Sequence, residues 1–145
     1  MTSAFNPLAN SSASSKDFLG FVFSLVLKCI VSFTIANVWL FRYGKQTIYR
    51  GGEATDLVSE FAAYGLSLNT MYAIGTLKVF AALLLLISIF YKKMELPPLL
   101  VIGGLMTAAL YFHFAIGDAL IKSLPAALML SACTLIYFLR FQKQE

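Results

Sequence analysis

Four ionisable residues lie where the chain is otherwise strongly apolar. Lys28 and Lys78 lie inside long apolar runs, His113 lies near the end of another, and Asp118 follows closely. A charged side chain at the centre of a bilayer costs about 2.5–3.5 kcal/mol on insertion scales. Lys28 lies ten residues beyond Phe18, or about 15 Å along a helix, which is close to mid-membrane. Each of these groups therefore needs a partner, a route to the surface, or a ligand.

Lys78 and His113 are the two groups that the predicted topology can bring together. They lie in consecutive apolar runs joined by a tight turn, so their helices should be antiparallel neighbours. A cationic pocket that contains a histidine would suit an anionic or carbonyl-bearing ligand, such as a quinone headgroup or a small organic acid. In the alternative, Lys78 pairs with Asp118 or Glu60 and only neutralises charge. The candidate ligand-binding residues are Lys78, His113, Asp118, Arg42, Lys45 and Arg50.

Lys28 is more isolated in the sequence, and two structural explanations are open for it. Its long side chain can extend toward the inner surface of the membrane. It can also pair with an acidic group of a partner subunit, either a second copy of the chain or another protein.

The sequence shows no catalytic, metal or cofactor motif. His113 is the only histidine, which excludes bis-histidine haem ligation, and no set of metal ligands is visible. Cys29 and Cys133 lie singly in separate apolar runs, as small buried hydrophobes do. We therefore predict no catalytic residue and no metal, we do not expect the isolated chain to be an enzyme, and a quinone is the one cofactor that the pocket suggests.

The composition indicates a membrane protein. Of the 145 residues 59% are hydrophobic and only 12% are charged, and the mean hydropathy is +0.79, whereas soluble domains are about 45–50% apolar and about 25% charged. The net charge of +4 comes from basic residues that lie mainly between the apolar runs, so we expect contact with the lipid bilayer and no nucleic-acid binding. The predicted spans are residues 18–41, 71–91, 97–116 and 120–141.

Each run is long enough to cross a hydrocarbon core about 30 Å thick as a helix. The fold class is therefore all-α, a bundle of four transmembrane helices forming one domain over residues 18–141. A mobile N-terminal tail, residues 1–17, and a C-terminal tail, residues 142–145, are expected to flank it.

The long first connection is expected to carry a short amphipathic helix at the outer membrane surface. Apolar residues recur there at helical spacing, and polar residues occupy the opposite face. The predicted apolar face consists of Ala54, Leu57, Val58, Phe61, Ala62 and Gly65. The predicted polar face consists of Glu53, Asp56, Ser59 and Glu60. Before this connection, Asn37 and Trp39 at the end of the first span suggest an interfacial anchor.

The basic residues beside the spans favour both termini in the cytoplasm. On the side of the termini lie Lys16, Lys92, Lys93, Arg140 and Lys143. On the other side lie Arg42, Lys45, Arg50 and Lys122. We expect the plasma membrane of a bacterium to be the location.

Several short stretches, in order, resemble the DoxX-like family of small membrane proteins. The first begins with Phe41-Arg42-Tyr43-Gly44-Lys45 and continues through Thr47, Tyr49-Arg50-Gly51-Gly52, Glu60-Phe61 and Tyr64-Gly65. The second is Ile74-Gly75-Thr76-Leu77-Lys78, and the third is Ala109, His113, Gly117-Asp118 and Pro125-Ala126. Together they cover the chain from about Trp39 to Ala127.

The resemblance implies four helices with an excursion after the first. The family is tied by name to subunits of terminal oxidases and of thiosulfate:quinone oxidoreductase, so it implies an accessory subunit of a quinone-linked membrane redox complex. The alternative is a non-enzymatic binding or assembly protein that recognises partner helices or a lipid-like ligand. A small transporter is a third possibility, disfavoured because neither inverted repeats nor broken spans are visible.

Overall fold

The computed structural model describes residues 7–141, and every regular element in that range is helical. The main helices are α1 (Pro7–Ala36), α2 (Leu57–Ala63), α3 (Leu68–Ile87), α4 (Leu96–Ala115) and α5 (Leu120–Phe141). Four stretches are long and apolar enough to cross a membrane, namely Asp17–Phe41, Leu68–Ile87, Lys92–Ala115 and Leu120–Arg140. The predicted all-α, four-span fold is confirmed.

Helix α1 begins earlier than expected, at Pro7, so most of the segment predicted as a tail is helical. Proline is favoured in the first helical turn, and a helix already formed in the span extends at little cost. Residues 1–6 and the predicted C-terminal tail, 142–145, lie outside the described residues.

The four long helices form a closed ring in which α1 contacts α3 and α5, and α4 contacts α3 and α5. Four side chains at its centre are almost completely buried: Val31, Leu85, Ile102 and Ile136. Large apolar side chains on the outside stay exposed, for example Phe33, Phe80 and Phe138. Such a surface is stable only when lipid covers it.

The two ends of the bundle differ. We call the end that carries the turn at Lys92–Met94 the terminus side, and the end that carries residues 42–67 and 116–119 the loop side. Near the terminus side, Lys28 Nζ of α1 lies 3.3 Å from Glu95 Oε2 at the start of α4, and both side chains are about 93% buried. Lys28 therefore has a partner within its own chain, and neither extension to the surface nor a partner subunit is needed.

Helix α1 ends in a π-helical turn, Asn37–Phe41. The following segment, residues 42–56, returns over the loop side and leads into α2. Asp56 caps α2 because its Oδ1 accepts a hydrogen bond of 2.7 Å from the Ser59 amide, and Gly65 ends it with a φ of 73°. Helix α2 thus lies across the loop end of the bundle against α3.

The amphipathic helix is present, but its faces differ from the prediction. Leu57 and Phe61 are buried as expected, whereas Val58 is 43% exposed. Glu60, predicted to face away, is 8% exposed and points into the bundle. The cause is Arg50, which supplies an opposite charge inside and so makes burial of the carboxylate possible.

Candidate functional site

A cavity of about 430 Å³ lies in the loop-side half of the bundle. Ligand pockets in proteins usually measure about 300–1,000 Å³, so this cavity is large enough for a small molecule or part of a lipid. Its wall is mostly apolar, with side chains such as Val38, Phe61, Ile74, Met106 and Met129. Its polar lining comes from α1, α2, α3, α4, α5 and the first connection, and includes Arg42, Arg50, Glu60, Tyr64, Lys78, His113 and Lys122.

Lys78 is the polar group deepest in the wall. It lies on α3, about three turns from the loop-side end, and is 9% exposed. Among the residues that the structure describes, no carboxylate forms an ion pair with its ammonium and no hydrogen bond holds it. Its one specific contact is with the face of Trp39, whose ring centroid lies 5.2 Å from Nζ. The predicted alternative, pairing with Asp118 or Glu60, does not occur in this part of the chain.

Trp39 lies within the π-helical turn at the end of α1, and its side chain lines the cavity. A π-turn advances the chain by one extra residue and re-aims the side chains that follow it. The ring packs edge-on against Phe61, with centroids 5.9 Å apart, and it also lies against Gly75 of α3. Trp39 is thus a half-buried part of the cavity wall, and its role as an anchor at the lipid interface stays a prediction.

Arg50 and Glu60 fix the first connection to α2. Arg50 Nη1 donates to Glu60 Oε2 over 2.9 Å, and Nη2 donates to the carbonyls of Arg42 and Lys45 over 2.9 and 3.2 Å. The other carboxylate oxygen of Glu60 accepts the Gly51 amide over 2.9 Å. Because Arg50 is only 6% exposed and satisfies several carbonyl oxygens, its role here is to hold the loop.

Tyr64 joins this pair to α4. Its hydroxyl lies 3.1 Å from Glu60 Oε1 and 3.2 Å from His113 Nδ1. Burial, and then the negative charge of Glu60, raise the pKa of the phenol well above its ordinary value, so the hydroxyl keeps its proton. The Tyr64 hydroxyl can donate its proton to Glu60 Oε1 or, when His113 is neutral with its proton on Nδ1 toward Asp118, to His113 Nε2, which lies 3.3 Å away.

Asp118 completes the chain of polar contacts. Gly117, with a φ of 72°, ends α4 in a left-handed turn that brings Asp118 Oδ2 to 2.7 Å from His113 Nδ1. Asp118 Oδ1 accepts the Gly52 amide over 2.8 Å and lies 3.6 Å from Lys122 Nζ. Lys122 also donates to the Gly52 carbonyl. Two segments 66 residues apart are thereby clamped together on the loop side of the bundle.

The clamp should depend on the charge of Asp118. Burial alone would raise its pKa, but hydrogen bonds from His113 and the Gly52 amide, with the charges of His113 and Lys122, lower it below 3.8. A lowered folded-state pKa means that the stabilisation is complete above pH 3.8 and is lost as the pH falls through the lower folded value. We expect the free energy of unfolding in detergent to fall in that acid range, below pH 3.8. In Asp118→Asn this part of the pH dependence should be missing; an identical acid slope in both proteins would contradict the assignment.

The structure brings together most of the predicted ligand-binding residues but not all. Lys78, His113, Arg42 and Arg50 line one cavity, and Asp118 lies directly behind His113. Lys45 is exposed and enters the arrangement only through its carbonyl oxygen. That these residues bind a ligand stays a prediction.

Sequence reasoning did not include Tyr64 in the site, and it named Glu60 only as a possible charge partner of Lys78. They are four residues apart, so they lie on one side of α2, and this spacing was the available signal. The amphipathic pattern obscured it because Glu60 falls beside other polar residues that do face outward.

The arrangement combines polar and apolar groups around one volume. It offers a buried ammonium, a phenol and an imidazole around an apolar volume, which together can hold a molecule with a polar head and an apolar body.

Comparison with known proteins gives the family and nothing finer. No curated protein and no solved structure matches this chain. The sequence profile of the DoxX-like family matches residues 47–136, which include α2, α3, α4 and most of α5. Of the polar lining residues, the match includes Arg50, Glu60, Tyr64, Lys78, His113 and Lys122. This match covers more than half of the chain, and the chain is therefore a member of the DoxX-like family.

Proposed function

We propose that this chain is a non-catalytic, ligand-binding membrane protein that serves a quinone-linked redox complex as an accessory subunit. The ligand is a small molecule with an apolar body and a polar head that accepts a hydrogen bond from Lys78 inside the loop-side cavity. The supporting observation is the unpaired Lys78 ammonium, 9% exposed, in the wall of a mostly apolar cavity.

Burial of the Lys78 ammonium has a cost in free energy. An ammonium removed from water is stable only when other groups replace its hydration. Trp39 compensates in part, since a cation over an indole face gains about 0.5–2 kcal/mol. The remaining N–H donors of Lys78 need an acceptor, which we assign to an oxygen atom of the ligand. Either a quinone carbonyl or a carboxylate supplies such an oxygen.

The test uses Trp39, which is the only tryptophan in the chain. A short-tailed quinone is titrated into the protein in mild detergent, and binding is measured as quenching of Trp39 fluorescence. A hydrogen bond to a charged group contributes about 1.5–3 kcal/mol, so Lys78→Met is expected to weaken binding about tenfold or more. Lys93→Met, which removes an exposed lysine on the terminus side, is the matched control and should bind normally.

The role in a redox complex is tested in membranes that carry each variant at equal expression. Quinone-linked electron transfer should fall in Lys78→Met and stay unchanged in Lys93→Met. If it is equal in both, the accessory redox role is wrong. If partner proteins co-purify equally with wild type and Lys78→Met while no ligand is found, a non-enzymatic assembly protein becomes the better interpretation.

The orientation with cytoplasmic termini, in a bacterial plasma membrane, stays a prediction from the basic residues.

A further inference from the structure

The charged groups around the cavity do not balance. Of the described residues that line it, four are lysine or arginine and one, Glu60, is acidic. Both oxygens of Glu60 are already engaged, one by Arg50 and the other by the Gly51 amide and the Tyr64 hydroxyl. Within the part of the chain that the structure describes, Glu60 forms an ion pair with Arg50 and none with Lys78.

The other nearby carboxylate, that of Asp118, also has partners within the chain. Asp118 lies behind the cavity wall and contacts His113, Lys122 and the Gly52 amide. After these pairs are formed, two cations of the wall have no acidic partner in the described part of the chain, Lys78 and Arg42. Arg42 is exposed to solvent, so Lys78 alone is both buried and uncompensated.

We infer that the ligand of this cavity is an anion: a carboxylate carried on an apolar body, with its head on Lys78. The inference rests on the proposed function and narrows it. A neutral carbonyl accepts one hydrogen bond from the ammonium but leaves a net charge in a low-dielectric site, where it is costly. A carboxylate both accepts the hydrogen bond and cancels the charge.

The rest of the wall fits the apolar body of such a molecule. The side chains around the volume include Leu57, Phe61, Ile74, Met106 and Met129. Two of them are methionines, which have flexible side chains that adapt to differently shaped ligands. The body can be an acyl chain from the membrane or a compact ring system from water, and the carboxylate chemistry is common to both.

The experiment compares a brominated fatty acid, its methyl ester, a bromobenzoate and a short-tailed quinone, each by quenching of Trp39. Bromine quenches indole fluorescence on contact, and Trp39 lines the cavity beside Lys78. We expect at least one of the two acids to bind about tenfold or more tightly than the ester at equal mole fraction in the detergent. Which acid it is distinguishes a membrane source of the ligand from an aqueous one.

Two substitutions of Lys78 distinguish an effect of its charge on binding from an effect on folding. Lys78→Met keeps the chain length and removes an uncompensated buried charge, so it should fold at least as well as wild type. In this variant the preference for the acid over the ester should disappear. Lys78→Arg keeps the charge and should keep the preference, as should the control Lys93→Met.

Equal binding of the acids and the ester by wild type, or an acid preference that survives in Lys78→Met, overturns the inference. Binding of the quinone alone, dependent on Lys78, also overturns it but leaves the proposed function intact. If no probe quenches Trp39 in the wild-type protein, both proposals are wrong.

Discussion

Replacing Lys28 by methionine is expected to lower the free energy of unfolding by about 3–5 kcal/mol, the usual cost of leaving one member of a buried ion pair without the other. Lys28 Nζ and Glu95 Oε2 lie 3.3 Å apart, and each side chain is only 7% exposed. In the variant the Glu95 carboxylate stays buried at the junction of α1 and α4 without a counter-ion. The change is measured by titrating the protein in mixed micelles with a denaturing detergent and following its helical circular dichroism.

The double variant Lys28→Met/Glu95→Met distinguishes a lost attraction from an uncompensated charge. Replacing both partners of a buried pair by apolar groups is often neutral or stabilising. We therefore expect the double variant to recover most of the loss. Lys93→Met, an exposed lysine on the same side, should change stability little. A double variant no more stable than Lys28→Met would show that the loss comes from the missing attraction and not from an uncompensated Glu95 charge.

The second large effect is expected at Gly75, where α3 approaches the tryptophan of α1 most closely. A Cβ built at Gly75 would overlap the six-membered ring of Trp39. The indole is rigid and is enclosed by Phe61 and Lys78, so it cannot yield by a small side-chain rotation. We expect Gly75→Ala to cost about 1–3 kcal/mol, the usual range for overpacking, and to shift the fluorescence maximum of Trp39.

Gly104 on α4 provides the matched control for this substitution. It is also a helical glycine, but a Cβ there would meet no atom within 4 Å. Gly104→Ala should therefore be neutral or slightly stabilising, because alanine has the higher helix propensity. If both variants unfold at the same denaturant concentration, with unchanged Trp39 emission, the close contact between α3 and Trp39 is wrong.

The fold could be predicted from the sequence because the apolar composition that determines it extends over long segments. Four apolar runs of sufficient length leave helices as the simplest way to satisfy the backbone in lipid. The start of α1 at Pro7 could not be read in the same way, since serine and alanine are compatible with a tail and with a helix. The burial of Glu60 was also hidden, because it depends on Arg50, ten residues earlier in a loop without periodicity.

The site was predictable only in outline. Depth along antiparallel helices placed Lys78 and His113 in one half of the membrane, and both do line the cavity. Pairing could not be settled by depth, since Lys28, Lys78 and the nearby acids allow several combinations. The contact of Trp39 with Lys78 was out of reach for another reason: it needs the π-helical turn, and a regular helix would direct that side chain elsewhere.

The cavity lies in the loop-side half of the bundle, and this position limits the side from which a molecule can reach it. The fully buried side chains Val31, Leu85, Ile102 and Ile136 all follow the cavity on the terminus side and close the bundle there. Under the proposed function, a ligand would therefore reach the cavity from the loop-side leaflet or from the solution next to it. The protein would then take up molecules from one leaflet only, because buried side chains lie between the cavity and the other leaflet.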